Sequence, residues 1–447
     1  MQTQRPKQLN ANDSVRIEKL VHGGWGLGRL AGGKVALVAE ALPGEEVRIR
    51  LLREAGGHVE ATIDTLLVAS PERVEPPCPY YADCGGCNLQ HTEYATQLRM
   101  KAAIVAENLQ RAGLVLSQDC LAPTLPSPQQ FGYRHRLRLH LQEGGLLGFY
   151  RRRSRSVVPV TRCLLATDGI NSTLSHLAQK IDLALLAHIA TALTLSQCPA
   201  SGRIFLMLHT KKQAGTNILQ TVTRMLAPQA DFVLTHKGQG VHPQAVGEDV
   251  EHTAAYLCQH FSHSRLNYEL RYSPGSFFQV NCQQNARLVA LAMEAAATPA
   301  RALDLFCGAG NFTIPLALLG AHVLGVEYSK ESCAWAQMNS QLAGLSQIRF
   351  RSTDAVTELN RLVRRQERFD IILLDPPRQG LGKAAALLPQ LAPQRIVSIS
   401  CDPATHARDL RLMLTGGYTL NNILPLDMFP QTHHIEMLAI LDKTKRS

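Results

Sequence analysis

The feature that most constrains the fold is a set of short apolar runs, each followed at once by polar or reactive residues. Residues 395–400 form one such run, and Cys401 follows it directly. A second run, residues 369–374, leads into Asp375, and a third covers residues 302–306. Runs of this length and composition predict strands buried on both faces of a parallel sheet. Open α/β sheets bind ligands at the carboxyl ends of such strands, so the thiol and the carboxyl group are predicted to share one sheet edge.

The chain of 447 residues is too long for a single core and divides by pattern into three parts. Residues 1–70 form short β-type runs separated by glycines, which predicts a small closed barrel of the oligonucleotide-binding type. Residues 71–265 contain a cysteine segment, a predicted helix from about 92 to 114, and further strands. Residues 266–447 alternate strand and helix, a pattern typical of a doubly wound α/β domain.

Charge and hydropathy indicate the class of binding partner and the cellular compartment. The net charge of +10 favours a polyanionic partner. No apolar stretch reaches the roughly 18 uninterrupted residues that a membrane span requires, and the first residues do not resemble a signal peptide. We therefore expect a cytoplasmic protein. In that compartment the eleven cysteines are expected to be ligands, a catalyst and core residues rather than disulfides.

Three cysteines lie close together in the sequence, at Cys78, Cys84 and Cys87, and two glycines before the last of them allow a tight turn. Cys163 is the best candidate for a fourth thiolate. Four thiolates suit either zinc or an iron–sulfur cluster. The spacing favours the cluster, because zinc sites more often repeat a two-residue spacing on both sides. Four ligands leave no open iron, so a structural or sensing role is expected.

Basic residues recur at every second position of one predicted strand. This places Arg134, Arg136, Arg138 and His140 on the same face. A second basic run follows at 151–155. Phosphate contacts would explain this concentration, and the aromatic residues at positions 133, 149 and 150 are suited to stack on unpaired bases. RNA is therefore the predicted partner, with an ordinary solvated surface as the alternative.

The loop that follows the 302–306 run points to a nucleoside cofactor. Residues 307–310 read Cys-Gly-Ala-Gly, without the third glycine of a dinucleotide site. The next predicted strand ends in Glu327, an acid suited to accept hydrogen bonds from both ribose hydroxyls. With Asp375 on the same sheet edge, the pattern indicates S-adenosylmethionine, which has no phosphate to bind.

Cys401 suggests the reaction. Carbon-5 of uracil is a poor nucleophile, and a thiolate that adds to carbon-6 makes carbon-5 enolate-like and able to accept a methyl group. A base must then remove the carbon-5 proton. Residues 430–436 alternate, which predicts Thr432, His434 and Glu436 on one face of a late strand, and Glu436 is the candidate base. Cytosine methylation is the enzymatic alternative, but those enzymes place the cysteine after the proline where this chain has Asp375-Pro-Pro.

These motifs resemble the RNA 5-methyluridine methyltransferases, both RlmD-like and TrmA-like, over essentially the whole chain. The resemblance rests on the segments 276–281, 303–308, 375–380 and 400–403. It implies a TRAM-type barrel at 1–70 and a helix at 92–124 that packs on the catalytic domain. The implied ligands of a [4Fe–4S] cluster are Cys78, Cys84, Cys87 and Cys163. The implied cofactor-binding residues are Gln279, Phe306, Asn311, Glu327, Asp354 and Asp375.

The resemblance also implies a substrate and a mechanism. A methyl group passes from S-adenosylmethionine to carbon-5 of a specific uridine in 23S rRNA, in an unfolded or early-assembly form, with Cys401 as nucleophile and Glu436 as base. The enzyme is expected to be a monomer. One alternative is the same chemistry on a tRNA uridine. The other is a non-catalytic RNA-binding protein whose iron–sulfur cluster senses oxidation, which the intact nucleophile and base disfavour.

Overall fold

A computed structural model of the protein describes residues 14–114, 120–211, 256–263 and 266–444, and all residues from 221 to 243 except 223, 227, 229, 238 and 239. The predicted extents 1–70 and 92–124 therefore reach outside the described residues at 1–13 and 115–119. Among the helices that the structure describes, none is both long and apolar enough to cross a membrane.

The first part of the chain is the closed barrel that its alternation predicts. The strands are β1 (Ser14–Val21), β2 (Trp25–Arg29), β3 (Val35–Ala39), β4 (Glu46–Glu54) and β5 (His58–Val68). Their order is β1-β2-β3-β5-β4, and pairing of β1 with β4 closes the barrel. Every second side chain points inward, so small and branched residues such as Val15, Ala36 and Val47 fill the interior.

The central part begins with the cysteine segment and helix α1 (Tyr94–Arg111) and continues into a seven-stranded sheet. The elements are β6 (Arg136–Gln142), β7 (Leu146–Tyr150), β8 (Val157–Pro159), α2 (Asp168–Lys180), α3 (Leu183–Ile189), β9 (Ala190–Gln197), β10 (Ile204–Thr210), β11 (Phe232–Lys237) and β12 (Gly240–Pro243). The sheet order is β12-β11-β10-β9-β6-β7-β8. Leucines of α2 and α3 pack on this sheet to form a separate core. The hairpin of β13 (Leu257–His263) and β14 (Leu266–Tyr272) leads on to the last part.

The last part is the doubly wound α/β fold predicted from its strand and helix pattern. Its elements are α4 (Cys282–Ala296), β15 (Arg301–Leu305), α5 (Thr313–Leu318), β16 (His322–Glu327), α6 (Lys330–Leu342), β17 (Ile348–Ser352), α7 (Ala355–Arg364), β18 (Ile371–Leu374), a 3₁₀ helix (Gly382–Leu391), β19 (Arg395–Ser400), α8 (Pro403–Thr415), β20 (Tyr418–Leu426) and β21 (Glu436–Lys443). The sheet order is β17-β16-β15-β18-β19-β21-β20. Strands β15 to β19 are parallel, and β21 is antiparallel to both its neighbours. The order reverses beside β15, which creates a crevice at the carboxyl ends of β15 and β18.

Helix α1 belongs by its contacts to the catalytic sheet. Met100, Ile104 and Leu109 pack in one core with residues of β18, β19 and α8. The helix ends at Arg111, earlier than the predicted 92–124, and Gly113 follows with φ 75°, a conformation suited to glycine. Beyond the gap, residues 121–125 run beside β20 in extended form. The prediction of a continuous helix to 124 is therefore wrong.

Candidate active site

The predicted nucleophile and base lie on neighbouring strands at the carboxyl edge of the catalytic sheet. Cys401 follows β19, and Glu436 opens β21. Ser400 pairs with Met437 across these antiparallel strands, so the same register brings Cys401 opposite Glu436. Asp375 follows β18, the parallel neighbour of β19. The structure therefore brings together the thiol and two carboxyl groups that lie far apart in the sequence.

One expectation about the late strand is wrong. The alternation over 430–436 predicted that Thr432, His434 and Glu436 share one strand face, but β21 begins only at Glu436. Residues 430–433 form a turn and bend. Within it, the Thr432 hydroxyl donates a hydrogen bond to the Phe429 carbonyl at 2.8 Å. Only Glu436 of the three enters the sheet.

Burial and negative charge both act on the protonation of these groups. Burial raises the pKa of the Cys401 thiol to about 11, and the charges of Glu436 and Asp375 add to the effect, while Arg378 opposes it. Burial also raises the pKa of Glu436 well above its usual range, again with a contribution from Asp375. Oε1 of Glu436 is buried and has no hydrogen-bond partner within the described residues. A buried polar atom left unpaired costs about 1–3 kcal/mol, which is typical of a group held ready for a ligand.

Asp304 is a site residue that the sequence reasoning missed. It lies within β15, is fully buried, and accepts a hydrogen bond from the Thr313 hydroxyl at 2.5 Å. Burial raises its pKa to about 8, with further contributions from Asp375 and Glu327. The available signal was an acid inside an otherwise apolar strand, since a buried carboxyl group needs a compensating partner. These carboxyl groups make the crevice a favourable environment for a cation.

Glu327 and Phe306 shape the loop after β15. The Gly308 amide donates to Oε2 of Glu327 at 3.0 Å, and the Ser329 amide donates to Oε1 at 2.7 Å. The carboxylate is therefore fixed in place at the end of β16 while each oxygen retains a further lone pair. Phe306 turns the chain out of β15 with φ 64°, an uncommon value for a residue other than glycine. Such positions are often retained at ligand-binding turns.

Three other predicted cofactor residues, Asn311, Gln279 and Asp354, lie in loops of the catalytic domain. Asn311 forms a reciprocal amide pair with Asn285, with distances of 3.0 and 3.1 Å. Gln279 is buried in the loop before α4. Asp354 is exposed and caps α7 by accepting a hydrogen bond from the Thr357 amide at 3.0 Å. Their contact with a cofactor stays a prediction.

A sequence profile of the family described as tRNA (Uracil-5-)-methyltransferase matches residues 137–444, well over half of the chain. The chain belongs to this family of RNA uracil-5-methyltransferases. Members use S-adenosylmethionine to methylate carbon-5 of uracil in RNA.

Relatives match over nearly the full length. A protein of Aquifex aeolicus described as an uncharacterized RNA methyltransferase is 33% identical, over 96% of this chain and 98% of the relative. A protein of Shewanella sp. strain W3-18-1, described as 23S rRNA (uracil(1939)-C(5))-methyltransferase RlmD, is also 33% identical, over 98% of this chain and 97% of the relative. The crystal structure of the Pyrococcus abyssi tRNA (uracil-54, C5)-methyltransferase has a TM-score of 0.71 at 23% identity, covering 95% of this chain and 99% of that one. The last comparison confirms the fold.

The cysteine centre of this methyltransferase, Cys78, Cys84, Cys87 and Cys163, has four half-buried thiols. Burial raises the pKa of Cys84 to about 11, and the neighbouring charges of Cys163 and Cys78 act in the same direction. Burial raises the pKa of Cys87 to about 12, again with a contribution from Cys163. These mutual effects indicate that the four thiols lie in one neighbourhood. No three His, Cys, Asp or Glu side chains in the described part of the chain form a group suited to a single metal ion.

Arg136, Arg138 and His140 alternate with buried leucines on β6, as predicted, whereas Arg134 of the predicted face and Arg152 of the second basic run lie beside the cysteine centre. Strand β6 begins at Arg136, so Arg134 lies before it, and its charge lowers the pKa of Cys87 against the effect of burial. Arg152 donates to the carbonyls of Cys84 at 3.2 Å and Cys87 at 2.8 Å, and it forms an ion pair with Glu40 of the barrel. Arg152 is therefore engaged with the protein itself, whereas the Nε atom of Arg134 is buried and has no hydrogen-bond partner among the described residues.

Arg136 of that face and the aromatic residue Tyr133 are also engaged inside the molecule. Arg136 donates to the Ser276 carbonyl at 2.8 Å. Tyr133 is buried, and its hydroxyl donates to the Pro430 carbonyl at 3.0 Å, so it cannot stack on a base. Arg138 is exposed, and His140 stacks on Tyr150 with 3.6 Å between ring centroids.

A groove of about 480 Å³ separates the barrel from the central sheet and the cysteine centre. Tyr150 and Arg151 line one side, and Trp25 lies under the Arg153 guanidinium at 3.8 Å. The floor includes Gly24, with φ 77°, where an added Cβ would lie 2.3 Å from the Asn88 amide nitrogen. Aromatic rings beside arginines are suited to stack bases and contact phosphates.

The groove leads toward the active site. The Asn88 side chain donates to the Gly23 carbonyl at 3.2 Å and lies 2.8 Å from Nδ1 of His433. The His22 ring packs edge-on against His433 and lies 3.5 Å from Asp402, the residue after Cys401. Barrel, cysteine segment and catalytic edge are thus joined by direct contacts.

Proposed function

We propose that this methyltransferase modifies carbon-5 of a specific uridine in 23S rRNA through a covalent adduct with Cys401, and that Glu436 removes the carbon-5 proton. The observation that carries the proposal is the position of Cys401 opposite Glu436, where neighbouring strands meet at the ligand-binding edge of the sheet. Carboxyl groups and thiols at this edge have pKa values displaced by burial, as is usual for catalytic groups.

The proposed chemistry follows from the two side chains. The Cys401 sulfur bonds to carbon-6 of uracil, and the electron pair of the 5,6 double bond moves toward the ring carbonyl. Carbon-5 then takes the methyl group of S-adenosylmethionine, whose bond to the sulfonium sulfur breaks and leaves S-adenosylhomocysteine. Glu436 accepts the carbon-5 proton, and the bond between sulfur and carbon-6 breaks to restore the double bond and the thiolate.

The charge of the crevice explains how the thiol becomes reactive in this proposal. The charges of Asp375 and Glu436 disfavour the Cys401 thiolate. A cationic ligand in the crevice offsets that negative charge, so it lowers the pKa of the thiol. The nucleophile is therefore activated when the methyl donor is bound. The residues proposed to contact the donor are Gln279, Phe306, Asn311, Glu327, Asp354 and Asp375.

We also propose that Cys78, Cys84, Cys87 and Cys163 hold a [4Fe–4S] cluster. The donor set fits, because Fe–S clusters take four thiolates and each iron of a four-iron cluster needs only one. Arg134 offsets the negative charge of the thiolates, and Arg152 holds the loop between Cys84 and Cys87 through its carbonyls. The cluster would fix the walls of the RNA groove, of which Cys87 forms part.

The choice of 23S rRNA is supported by the relatives and by the division of the chain. Relatives from Shewanella and Pseudomonas putida match this chain over almost their full length, at 33% and 34% identity. Both are named as 23S rRNA methyltransferases. In our proposal the barrel of residues 1–70 and the centre at 71–265 bind RNA in an unfolded or early-assembly form, and residues 266–447 catalyse. The enzyme acts as a cytoplasmic monomer. A tRNA uridine is the second candidate substrate.

The substrate is tested by mapping 5-methyluridine in ribosomal and transfer RNA from a deletion strain and from the same strain with the gene restored. We expect one 23S rRNA position to lose its methyl group and to regain it. Loss confined to tRNA would overturn the substrate and leave the chemistry intact.

The covalent route is tested with Glu436→Gln and an RNA transcript. Without the base, elimination stops after methyl transfer, so a protein–RNA adduct that survives denaturing electrophoresis should accumulate while turnover falls about 10²–10⁴-fold. The double variant with Cys401→Ala is the control and should form no adduct. Normal turnover by Glu436→Gln would show that another residue is the base.

A further inference from the structure

A second groove, of about 380 Å³, lies at the amino edge of the catalytic sheet, opposite the active site. Arg301 and His322, which line it, are the first residues of β15 and β16. The reactive groups follow the last residues of the parallel strands instead. A strand of five residues spans about 16 Å, so Arg301 and His322 lie about that far along their strands from the carboxyl edge. We call this second site the amino-edge groove.

Arginines from separate elements converge on the amino-edge groove. Arg349 and Arg351 point into it from β17, and Arg361 and Arg365 line it from α7 and its C-terminal end. With Arg301 and His322, they give the groove a strongly positive lining. Its only acidic lining residue among those described is Glu367.

The charges of the groove are only partly balanced within the protein. Arg301 pairs with Glu367 at 2.9 Å, and Arg361 donates to Glu358 at 2.9 Å. The side chains of Arg349, Arg351 and Arg365 have no hydrogen bond or ion pair with any described residue. Like charges held together in this way repel one another, and a bound anion would relieve the repulsion.

A structural role explains only part of this arrangement. β17 is the edge strand of the sheet, and charged side chains on edge strands prevent pairing between molecules. That role accounts for Arg349 and Arg351. It does not account for Arg365, which comes from the helical layer and lines the same groove.

We propose that the amino-edge groove binds the phosphate backbone of the RNA substrate at a distance from the modified uridine. This inference rests on the proposed function, because RNA is the polyanion that the enzyme must hold. The planar guanidinium group matches phosphate geometry, and several adjacent arginines suit a chain of phosphates better than a single small anion. Phosphate contacts position a nucleic acid without reading its sequence, so the groove would fix the path of RNA that flanks the target.

The experiment compares two adjacent arginines of α7 and its cap. Arg365 lines the groove, whereas Arg364 is also exposed but does not line it. Binding of a long 23S rRNA transcript is measured for the wild type, Arg365→Gln and Arg364→Gln over a series of salt concentrations. The binding constant K falls as salt rises, so the slope of log K against log salt is negative. Each lost phosphate contact makes this slope less steep by about 0.7–0.9. We expect that decrease for Arg365→Gln only, and about three times that decrease for the triple variant R349Q/R351Q/R365Q.

Two further measurements separate the possible failures. Thermal unfolding and S-adenosylhomocysteine binding of each variant should match the wild type, and the methylation rate of a short hairpin that does not reach the groove should be unchanged. Equal slopes for Arg365→Gln and Arg364→Gln, with an active wild type, would overturn the amino-edge groove and leave the proposed function standing. A wild type that methylates no RNA uridine would overturn the proposed function itself. A third outcome is that the triple variant binds RNA with the wild-type salt dependence but no longer co-purifies with a protein that the wild type retains. That outcome would assign the groove to a protein partner and also overturn the inference.

Discussion

The catalytic edge and the cysteine centre contain the same reactive group in opposite electrostatic settings. At the edge, Cys401 lies among carboxyl groups, which add to the effect of burial and keep it a thiol. At the centre, Arg134 lowers the pKa of Cys84 and Cys87 against the effect of burial. In our proposal, this difference in neighbouring charge suits Cys401 to transient attack on a substrate and the cysteines of the centre to permanent ligation.

The largest effect is expected at Cys401. Replacing it with alanine removes the nucleophile, so methylation of an RNA transcript should fall by about 10⁴-fold or more, whereas donor binding should remain. Single-turnover assays and calorimetry measure the two quantities. Cys120→Ala, which changes a buried cysteine of the α1 layer, is the matched control and should keep its rate within a few-fold. An active Cys401→Ala enzyme would refute the covalent mechanism.

At the cysteine centre, the expected effect of a substitution is loss of iron. Cys87→Ser in protein purified without oxygen should reduce bound iron and sulfide from about four of each to less than one per chain, with loss of the visible absorption of the cluster. Cys333→Ser, a buried cysteine of α6, is the control and should retain the metal. Stoichiometric zinc in place of iron would contradict the cluster.

The carboxyl groups of the edge predict a pH dependence of donor binding. Burial raises the pKa of Asp375 to about 7 and that of Asp304 to about 8, and a bound sulfonium cation lowers both values. Binding therefore releases protons, and affinity should rise as pH increases from about 6 to 8, by up to about tenfold per unit for each proton. Calorimetry in buffers of different ionisation enthalpy counts those protons. S-adenosylhomocysteine lacks the cation and should show a weaker dependence; identical curves would contradict this electrostatic account.

The smallest effect concerns Asp354, whose capping role and predicted cofactor contact can be separated. Serine also caps helices, so Asp354→Ser should change the free energy of unfolding by less than about 0.5 kcal/mol. It removes the carboxylate, so donor affinity should fall about tenfold, equivalent to one hydrogen bond of about 1.4 kcal/mol. Asp354→Ala should lose both the helix cap and the contact with the donor, and the free energy of unfolding should fall by about 1 kcal/mol. An unchanged affinity in both variants would restrict Asp354 to capping.

The sequence allowed the catalytic edge to be predicted because local pattern determines it. Apolar runs specify parallel strands, and the residue after each run necessarily lies at the carboxyl edge, which places Asp375 and Cys401 together. Asp304 could not be recognised in the same way. Its role depends on Thr313 and on carboxyl groups contributed by other strands.

The basic face was harder to predict because long-range contacts decide which of its arginines are exposed and which are engaged within the protein. A period of two assigns Arg134 and Arg136 to one face, but it does not reveal that β6 begins at Arg136. Nor does it reveal that the cysteine segment, distant in sequence, covers Arg134. The end of α1 was locally encoded by Gly113, and the prediction of a helix from about 92 to 114 followed that signal, whereas the extent 92–124 implied by the resemblance went beyond it.

The position of β21 between β19 and β20 has a consequence for how the enzyme is made. Both neighbours precede β21 in sequence, so during synthesis the sheet has a gap that only this late segment fills. Glu436 emerges from the ribosome after every other residue of the proposed site. In the proposed mechanism, a nascent chain that lacks Glu436 cannot remove the carbon-5 proton, so the proposed site is complete only after β21 has inserted between β19 and β20.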